Sequence, residues 1–208
     1  MLRFENVRRR FGRLSVLQGV SGAVAPGEAL LVTGPNGSGK STLLRCLAGL
    51  LNPDAGRIEY REDERSFDTE ERRRRIGYVA PDLAFYNELT VAENLEFFAR
   101  LRRVGPERGM AVLERLGLPG DRMVGTLSSG MRQRLRWAWA LLHGPRLLLL
   151  DEPFQNLDAP GEEAARSLLR EHLAAAPGGL PGLSGLAVIA NPSPLEIDGV
   201  AARLDLGH

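Results

Sequence analysis

The sequence of 208 residues is poor in cysteine, in lysine and in uncompensated charge. Its single cysteine, Cys46, cannot form an internal disulfide, which suits a reducing cytoplasm. The formal net charge is +1, so there is no general electrostatic reason to expect nucleic acid as a partner. No stretch approaches the roughly 20 apolar residues of a membrane span, and the first residues lack an apolar signal region. Length and composition therefore predict one domain, or one domain with a subdomain.

Lysine is almost absent, because only one of the 27 basic residues is a lysine, Lys40. Arginine is not interchangeable with a compact ammonium group on a flexible stem. This lysine lies in a segment that matches the phosphate-binding pattern G-x-x-x-x-G-K-[ST] without a mismatch. The segment consists of Gly34, Pro35, Asn36, Gly37, Ser38, Gly39, Lys40, Ser41 and Thr42.

The residues around this segment fit a phosphate-binding loop. The apolar run at 28–33 predicts a buried parallel strand, and the spacing at 42–51 predicts a helix. Between such a strand and helix, backbone N–H groups and the helix N-terminus point at phosphate oxygens. We expect Lys40 to reach the β- and γ-phosphates, Ser41 to ligate Mg²⁺ and Thr42 to add a phosphate contact. The segment thus predicts a nucleoside triphosphate site with Mg²⁺; the alternative is an accidental glycine-rich turn.

An acidic pair follows the apolar run at 147–150, which predicts a second buried strand. Asp151 is expected to bind Mg²⁺ directly or through a water molecule, because an acid at such a strand end is the usual second metal group of a phosphate-loop site. Glu152 is expected to orient and polarise an attacking water. The alternative is two solvated carboxylates at a strand end.

A third segment begins at Leu127, where two serines precede a predicted helix that extends to Leu142. Ser128 or Ser129 can cap this helix, and its N-terminus can bind an anion. By itself this pattern is unspecific, because many helices begin with serine.

Taken together, these motifs resemble the ATP-binding subunits of ABC transporters over nearly the whole chain. The glycine-rich loop and Asp151–Pro153 match the Walker A and Walker B motifs of that family. The segment Leu127–Met131 is similar to its LSGGQ signature, and Asp158 ends a segment similar to its D-loop. Phe11 lies where the family has an aromatic ring that stacks on adenine. The segment Leu89–Leu95 matches a stretch that follows its Q-loop.

The resemblance implies that the cofactors are ATP and Mg²⁺ and that two chains form a head-to-tail dimer. Each ATP would lie between the loop of one chain and the signature of the other, as a homodimer or a heterodimer. The signature residues that would act in this way are Ser128, Ser129, Gly130 and Met131. ATP binding would close the dimer and hydrolysis would reopen it, which would drive an integral membrane permease at the cytoplasmic face of the membrane.

Two positions depart from the family pattern. Pro81 stands near the place of the Q-loop glutamine, and Asn191 stands where the family has its switch histidine. Asparagine does not titrate near neutral pH as histidine does. Two alternatives to a transport ATPase therefore stay open: a weakly hydrolysing structural ATP-binding partner, and an ABC-type ATPase without a transport role.

The expected fold is α/β: a P-loop NTPase core with a mixed sheet, an N-terminal antiparallel β-subdomain and an inserted α-helical subdomain. The first subdomain and the core would comprise 1–81 and 143–208, and the helical subdomain about 82–142. Further strands are predicted at 2–7, 16–24, 56–60, 76–79 and 187–190, a helix is predicted at 162–176, and a solvated helix face at 72–75.

The helical subdomain is expected to contact the permease through an apolar cluster at 81–94. Its apolar members are Leu83, Phe85, Tyr86 and Leu89. Internal packing of the subdomain is the alternative for Phe85 and Tyr86. The chain's short, single-domain form resembles the ATP-binding subunit of the heme exporter used in cytochrome c maturation.

Overall fold

The computed structural model describes residues 1–174, 184–197 and 199–207. The strands in these ranges are β1 (Leu2–Phe11), β2 (Leu14–Val24), β3 (Ala29–Thr33), β4 (Ala55–Glu62), β5 (Arg65–Phe67), β6 (Ile76–Val79), β7 (Leu147–Asp151), β8 (Leu186–Ala190) and β9 (Val200–Asp205). The helices are α1 (Lys40–Leu47), α2 (Thr69–Arg75), α3 (Val91–Arg102), α4 (Glu107–Arg115), α5 (Ser129–Leu141) and α6 (Ala159–Ala174). A short 3₁₀ turn, Val124–Thr126, precedes α5.

The strands form two sheets, one antiparallel in the order β2-β1-β4-β5 and one parallel in the order β6-β7-β8-β3-β9. In the antiparallel sheet, β1 alternates buried and exposed residues near its start, as expected for a strand with one covered face. In the parallel sheet, β7 and β8 are buried at every residue, because apolar clusters pack on both faces. The expected α/β fold is confirmed, and its two strand directions separate into two sheets.

The carboxyl ends of three central strands meet at one edge of the parallel sheet. Val32 on β3 and Asp151 on β7 are both paired with Ala190 on β8. The loop that begins at Gly34 and the acidic residue Glu152 therefore leave the sheet side by side. This edge brings together two motifs, Gly34–Thr42 and Asp151–Glu152, that are more than 100 residues apart in the chain.

Several element ends differ from the expectation for local reasons. The first helix ends at Leu47 rather than residue 51, because Gly49 takes a left-handed conformation (φ 73°) and its N–H donates to the Cys46 carbonyl. The helix expected from residue 162 already begins at Ala159, where the Asp158 carboxylate accepts a hydrogen bond from the N–H of Gly161. Its expected residues 175 and 176 lie outside the described residues. The sequence also predicts a loop rich in glycine and proline at 177–185, and most of that loop lies outside them too.

The segment 82–90 is not helical, in contrast to the helical pattern expected from residue 82. The cause is Asn94, which is fully buried and holds Tyr86 in place of helical hydrogen bonds. Its side chain accepts from the Tyr86 N–H at 2.9 Å and donates to the Tyr86 carbonyl at 3.0 Å. Helix α3 starts only after Thr90, which forms a capping box with Glu93.

The prediction that the arginines at 72–75 form a solvated helix face is wrong for one of the four. Arg72 is 4% exposed, and its guanidinium donates to the Ile58 carbonyl at 3.3 Å. Burial lowers its pKa from the ordinary arginine value. Arg73 and Arg74 are exposed, as expected. Helix α2 thus turns one arginine toward the antiparallel sheet and the next two toward solvent.

Two apolar cores lie on the two faces of the parallel sheet. Alternate residues of β7 divide between them, with Leu148 and Leu150 on one face and Leu147 and Leu149 on the other. Trp139 on α5 packs against both cores. In the part of the chain that the structure describes, no helix is both long and apolar enough to cross a bilayer.

Candidate nucleotide site

The glycine-rich loop is a tight turn that only glycine can form at its two ends. Gly34 has a φ of 139°, and an added Cβ would lie 2.8 Å from the Ser38 hydroxyl oxygen. Gly39 has a φ of 102°, and an added Cβ would lie 3.0 Å from the Val16 carbonyl oxygen. Helix α1 starts directly after it, at Lys40. The loop is therefore closed tightly enough to direct backbone N–H groups toward one anion.

The only lysine of the chain lies inside this loop. Lys40 is 5% exposed, and its ammonium group donates to the carbonyls of Gly34 at 2.7 Å and Pro35 at 2.9 Å. The hydroxyl of Ser38 is buried without a hydrogen-bond partner among the described residues. The unpaired hydroxyl and the buried ammonium group lie in one loop, and both can donate hydrogen bonds to phosphate oxygens.

Asp151 and Ser41 have the chemistry of a Mg²⁺ site. Asp151 is 3% exposed, and its Oδ1 atom has no hydrogen-bond partner among the described residues. Burial raises its pKa, and the charge of Glu152 adds to the rise, whereas a hydrogen bond from the Ser41 hydroxyl opposes it. A buried carboxylate oxygen without a partner fits Mg²⁺, which takes one or two protein carboxylates and otherwise water and phosphate oxygens.

Within the described ranges, no group of three or more histidine, cysteine or acidic residues is placed to hold a metal ion. When bound, Mg²⁺ would neutralise charge on the phosphates.

Glu152 completes a cavity of about 410 Å³ at the mouth of the loop. Its backbone is left-handed (φ 47°), and its N–H donates to the Ala190 carbonyl at 2.9 Å. Such strain is tolerated only where neighbours fix the backbone, and it is frequent at functional sites. The cavity is lined by Phe11, Val16, Asn36, Gly37, Gly39, Lys40, Ser41, Thr42 and Glu152.

Phe11 stands at the rim of this cavity, at the end of β1. Its side chain is 48% exposed, and the Arg9 guanidinium lies 4.9 Å from its ring centre. The ring does not belong to the core of the antiparallel sheet. It is free on one side, as a ring that stacks on a nucleotide base must be.

Residues that the sequence analysis missed link the Q-loop position to Glu152. Arg136 on α5 donates to the Pro81 carbonyl at 2.6 Å and to the Gln133 side chain at 3.0 Å. Gln133, 3% exposed, donates in turn to the carbonyls of Glu152 at 3.2 Å and Pro153 at 2.8 Å. In the sequence, Gln133 and Arg136 are two of several polar residues on an amphipathic helix, and this pattern does not identify their partners.

Asn191 lies at the correct edge but turns its side chain away from the loop. It follows β8 directly, and its N–H donates to the Val32 carbonyl at 3.0 Å. Its side-chain amide donates to the Ser193 carbonyl at 2.7 Å, and Asn191 does not line the cavity. Its predicted role at the γ-phosphate therefore stays a prediction.

The signature and D-loop residues also lie outside the cavity of their own chain. Ser128 caps α5 by accepting from the Met131 N–H at 3.2 Å, and Ser129 is exposed in the first turn. Gly130 packs so closely on the Asn156 carbonyl that an added Cβ would lie 2.5 Å from its oxygen. Asp158 forms an ion pair with Arg134, which lowers the pKa of its carboxyl group.

Comparison with known proteins identifies this arrangement. A family model described as ABC transporter matches residues 17–155. The zinc import ATP-binding protein ZnuC of Cereibacter sphaeroides is 44% identical over 164 residues, which cover 78% of this chain and 63% of that protein. The probable sulfate/thiosulfate import ATP-binding protein CysA of Chlorella vulgaris is 40% identical over 173 residues, covering 80% of this chain and 73% of that protein.

A solved structure shares the fold. The dimeric ATP-binding cassette MJ0796, in a post-hydrolysis state bound to ADP and Pi, superposes with a TM-score of 0.78 at 26% identity, covering 92% of this chain and 88% of that one. The chain spans between about half and three quarters of the length of the curated relatives it matches. By sequence, fold and loop geometry together, this chain belongs to the ABC transporter family as an ATP-binding domain.

Proposed function

We propose that this chain is the ATP-hydrolysing subunit of an ABC transporter. The observation that carries the proposal is the single cavity in which Lys40, Ser41 and Glu152 meet, with Asp151 beside them in the chain. In this proposal Lys40 stabilises the γ-phosphate, while Ser41 and Asp151 hold Mg²⁺. Glu152 orients and polarises the attacking water.

A head-to-tail dimer is the second part of the proposal. The signature residues do not line the nucleotide cavity of their own chain, so we propose that they contact the nucleotide of a second chain; they are Ser128, Ser129, Gly130 and Met131. The dimeric state of MJ0796 supports this arrangement. The second chain is either a copy of this one or a related subunit, and Asp158 would lie at the contact between them.

Contact with a membrane permease is the third part. The Tyr86 ring is 47% exposed and the Phe97 ring 37% exposed, and their centres lie 5.0 Å apart. Two adjoining exposed rings favour a partner surface over internal packing. We propose that the helical subdomain, about 82–142, carries this contact and that the rest of the chain forms the core. The subunit would then lie peripherally at the cytoplasmic face of the membrane.

We infer that the transporter is an importer. The relatives at 44% and 40% identity are named for import of zinc and of sulfate or thiosulfate. The resemblance to a heme exporter finds no support in these relatives, so we propose no role in cytochrome c maturation. The same names favour transport over a role without a membrane partner.

A weakly hydrolysing ATP-binding partner is the second candidate, and two observations favour it. Pro81 has no side-chain hydrogen-bonding group, and Asn191 directs its amide to Ser193. If this candidate is correct, the chain binds Mg-ATP tightly but turns it over slowly even in excess permease. Asn191→His would then raise turnover, provided that the new side chain leaves Ser193 and reaches the γ-phosphate, because histidine titrates near neutral pH.

ATP turnover measured with and without permease separates the two candidates, because only the hydrolysing subunit should turn over ATP rapidly with the permease.

The role of Glu152 needs a separate test. We expect Glu152→Gln to bind Mg-ATP like the wild type but to lose about 10²-fold or more in turnover, because the water loses its polarising carboxylate. Glu64→Gln, an exposed change of the same kind on the β4–β5 turn, serves as the control. Equal turnover of Glu152→Gln and Glu64→Gln would exclude Glu152 as the group that activates water.

A further inference from the structure

A second charged cavity lies at the opposite edge of the parallel sheet. It has a volume of about 830 Å³. Strands β6 and β7 are paired from their first residues, Ile76 with Leu147, so the residues that precede both strands lie side by side. The end of α3 covers them, with Leu101 and Val104 at the rim. Arg146 lines this cavity and precedes Asp151 by five residues along β7, a distance of roughly 16 Å at about 3.3 Å per residue.

The cavity is lined by six arginines and one carboxylate. The arginines are Arg73, Arg74, Arg75, Arg102, Arg103 and Arg146, and the carboxylate is Glu62. Glu62 pairs with Arg75 at 3.1 Å and with Arg146 at 4.0 Å, which neutralises part of the positive charge. Arg146 also pairs with Asp63, and Arg74 pairs with Glu70.

Three of these arginines have no carboxylate partner among the described residues. Arg73 donates to the Gly49 carbonyl, and Arg102 donates to the Arg74 carbonyl and lies over the Trp139 ring. Arg103 makes no ion pair with any described residue. Uncompensated guanidinium groups that converge on one cavity repel one another, and an anion between them relieves that repulsion.

His143 adds an unpaired polar group to the same cavity. Both ring nitrogens are buried and make no hydrogen bond of good geometry, although the Ile76 backbone lies close by. Burial, with the positive charge of Arg102 adding to it, lowers the pKa of His143 to about 3. The ring is therefore neutral near pH 7 and adds no positive charge to the cavity.

We propose that this arginine cavity binds the phosphate group of an anionic ligand, separately from the nucleotide site. Guanidinium groups pair with phosphate oxygens in a bidentate way, which suits several arginines around one cavity. The rim favours an anionic phospholipid headgroup as the source, because Leu101 is 67% exposed and Val104 36% exposed beside the cavity. Exposed apolar side chains next to arginines are the pattern of a surface that rests on a membrane interface.

The test removes two arginines that have no carboxylate partner among the described residues. The double variant Arg73→Gln/Arg103→Asn keeps a good helix former at residue 73. It also places asparagine, which tolerates the left-handed conformation, at residue 103 (φ 56°). The control Arg3→Gln/Arg57→Gln changes the net charge equally but removes arginines that pair with Glu5 on the antiparallel sheet. Unchanged melting temperature and Mg-ATP affinity verify that both variants are folded.

Two probes distinguish the source of the phosphate. One is sedimentation with phosphatidylcholine vesicles that do or do not contain phosphatidylglycerol. The other is titration with inorganic pyrophosphate while Mg-ADP saturates the nucleotide site. We expect the wild type to bind the phosphatidylglycerol vesicles and the cavity variant to bind about fivefold more weakly for each arginine removed. The control should lose no more than about twofold.

Each outcome decides the proposal. A selective loss on vesicles supports a lipid headgroup, and a selective loss with pyrophosphate alone supports the site with a soluble phosphorylated ligand. Equal binding by the cavity variant and the control, or no binding of either probe by the wild type, overturns the proposal.

Discussion

At the residue scale, Phe11 shows how exposure separates a binding role from a packing role. If the ring stacks on adenine, Phe11→Ala should weaken Mg-ATP binding by about 1–3 kcal/mol, the range found for bases stacked on aromatic rings. Because the ring is 48% exposed, the melting temperature without nucleotide should hardly change. Leu14→Ala, which truncates a 66% exposed side chain across the same hairpin, is the control. Unchanged affinity in Phe11→Ala measured by calorimetry would contradict stacking.

Asp151 gives a prediction about stability and pH. Burial raises its pKa in the folded protein, so the folded state loses stability as the pH rises from the ordinary aspartate value to the raised one. Above the raised pKa, the whole of this loss of stability is present. Asp151→Asn removes this loss. At pH 7 without Mg²⁺, the variant should melt at or above the wild type, by about 2–4 °C for each kcal/mol recovered. The difference should shrink toward about pH 4.

The matched control for Asp151 has the opposite sign. Arg134 lowers the pKa of Asp158, so ionised Asp158 stabilises the fold, and Asp158→Asn should lower the melting temperature at pH 7. Mg-ATP should raise the melting temperature of the wild type but not of Asp151→Asn, since the metal loses a ligand. Thermal scans across pH measure all of these shifts. A less stable Asp151→Asn variant without nucleotide would contradict the burial argument.

Residues in a sequence motif that matches at every required position could be predicted from the sequence. Residues that act through tertiary contacts could not. Lys40 and Asp151 are fixed by loop spacing and by a strand end, so their positions follow from the chain alone. Asn94 and Gln133 are buried amides on amphipathic helices. In the sequence they cannot be distinguished from amides that face solvent. Arg72 shares its run with exposed arginines, and only packing of α2 on the antiparallel sheet makes it different.

At the element scale, α5 connects the Q-loop position to the carboxyl end of β7, where we propose that Glu152 activates water. Arg136 holds the Pro81 carbonyl and orients Gln133, which fixes the backbone of Glu152. We expect Arg136→Ala to lower kcat about tenfold, the effect of losing one hydrogen bond to a charged group, while the affinity for Mg-ATP stays unchanged. Arg100→Ala, which removes an exposed arginine that pairs only with Glu96, is the control. A change in nucleotide affinity rather than kcat would assign Arg136 a purely structural role.

Elements with a strong hydrophobic pattern could be predicted from the sequence. Strands that form only because a neighbouring strand pairs with them could not. The buried runs of β3, β7 and β8 and the breaks around α4 follow from apolar patterning and glycine. Strand β9 was missed, because Val200–Asp205 is mostly exposed and alternates poorly, and it is a strand because β3 offers it an edge. Strand β5 has only three residues and exists as the partner of β4.

At the scale of the whole molecule, the two edges of the parallel sheet have different chemistry. The carboxyl edge combines a phosphate loop with two carboxylates, whereas the amino edge gathers arginines around His143. The cavity at the carboxyl edge is not covered by the start of α5 of the same chain, since Ser128 does not line it. A nucleotide bound there stays open to solvent on one side until another chain covers it, so the dimer should depend on ATP.

A mixture of two inactive variants tests whether the site is shared between chains. Lys40→Ala removes the loop ammonium, and Ser128→Asp keeps a good cap for α5 but places a negative charge where a γ-phosphate would arrive. Alone, neither variant should form the ATP-dependent dimer. A mixed dimer has one site with both defects and one intact site. Because neither variant dimerises alone, every dimer in an equal mixture is mixed and has one intact site of two, so ATP binding should recover to at most about half of the wild-type sites. Analytical ultracentrifugation with labelled ATP measures this recovery, and full dimerisation by Ser128→Asp alone would contradict a shared site.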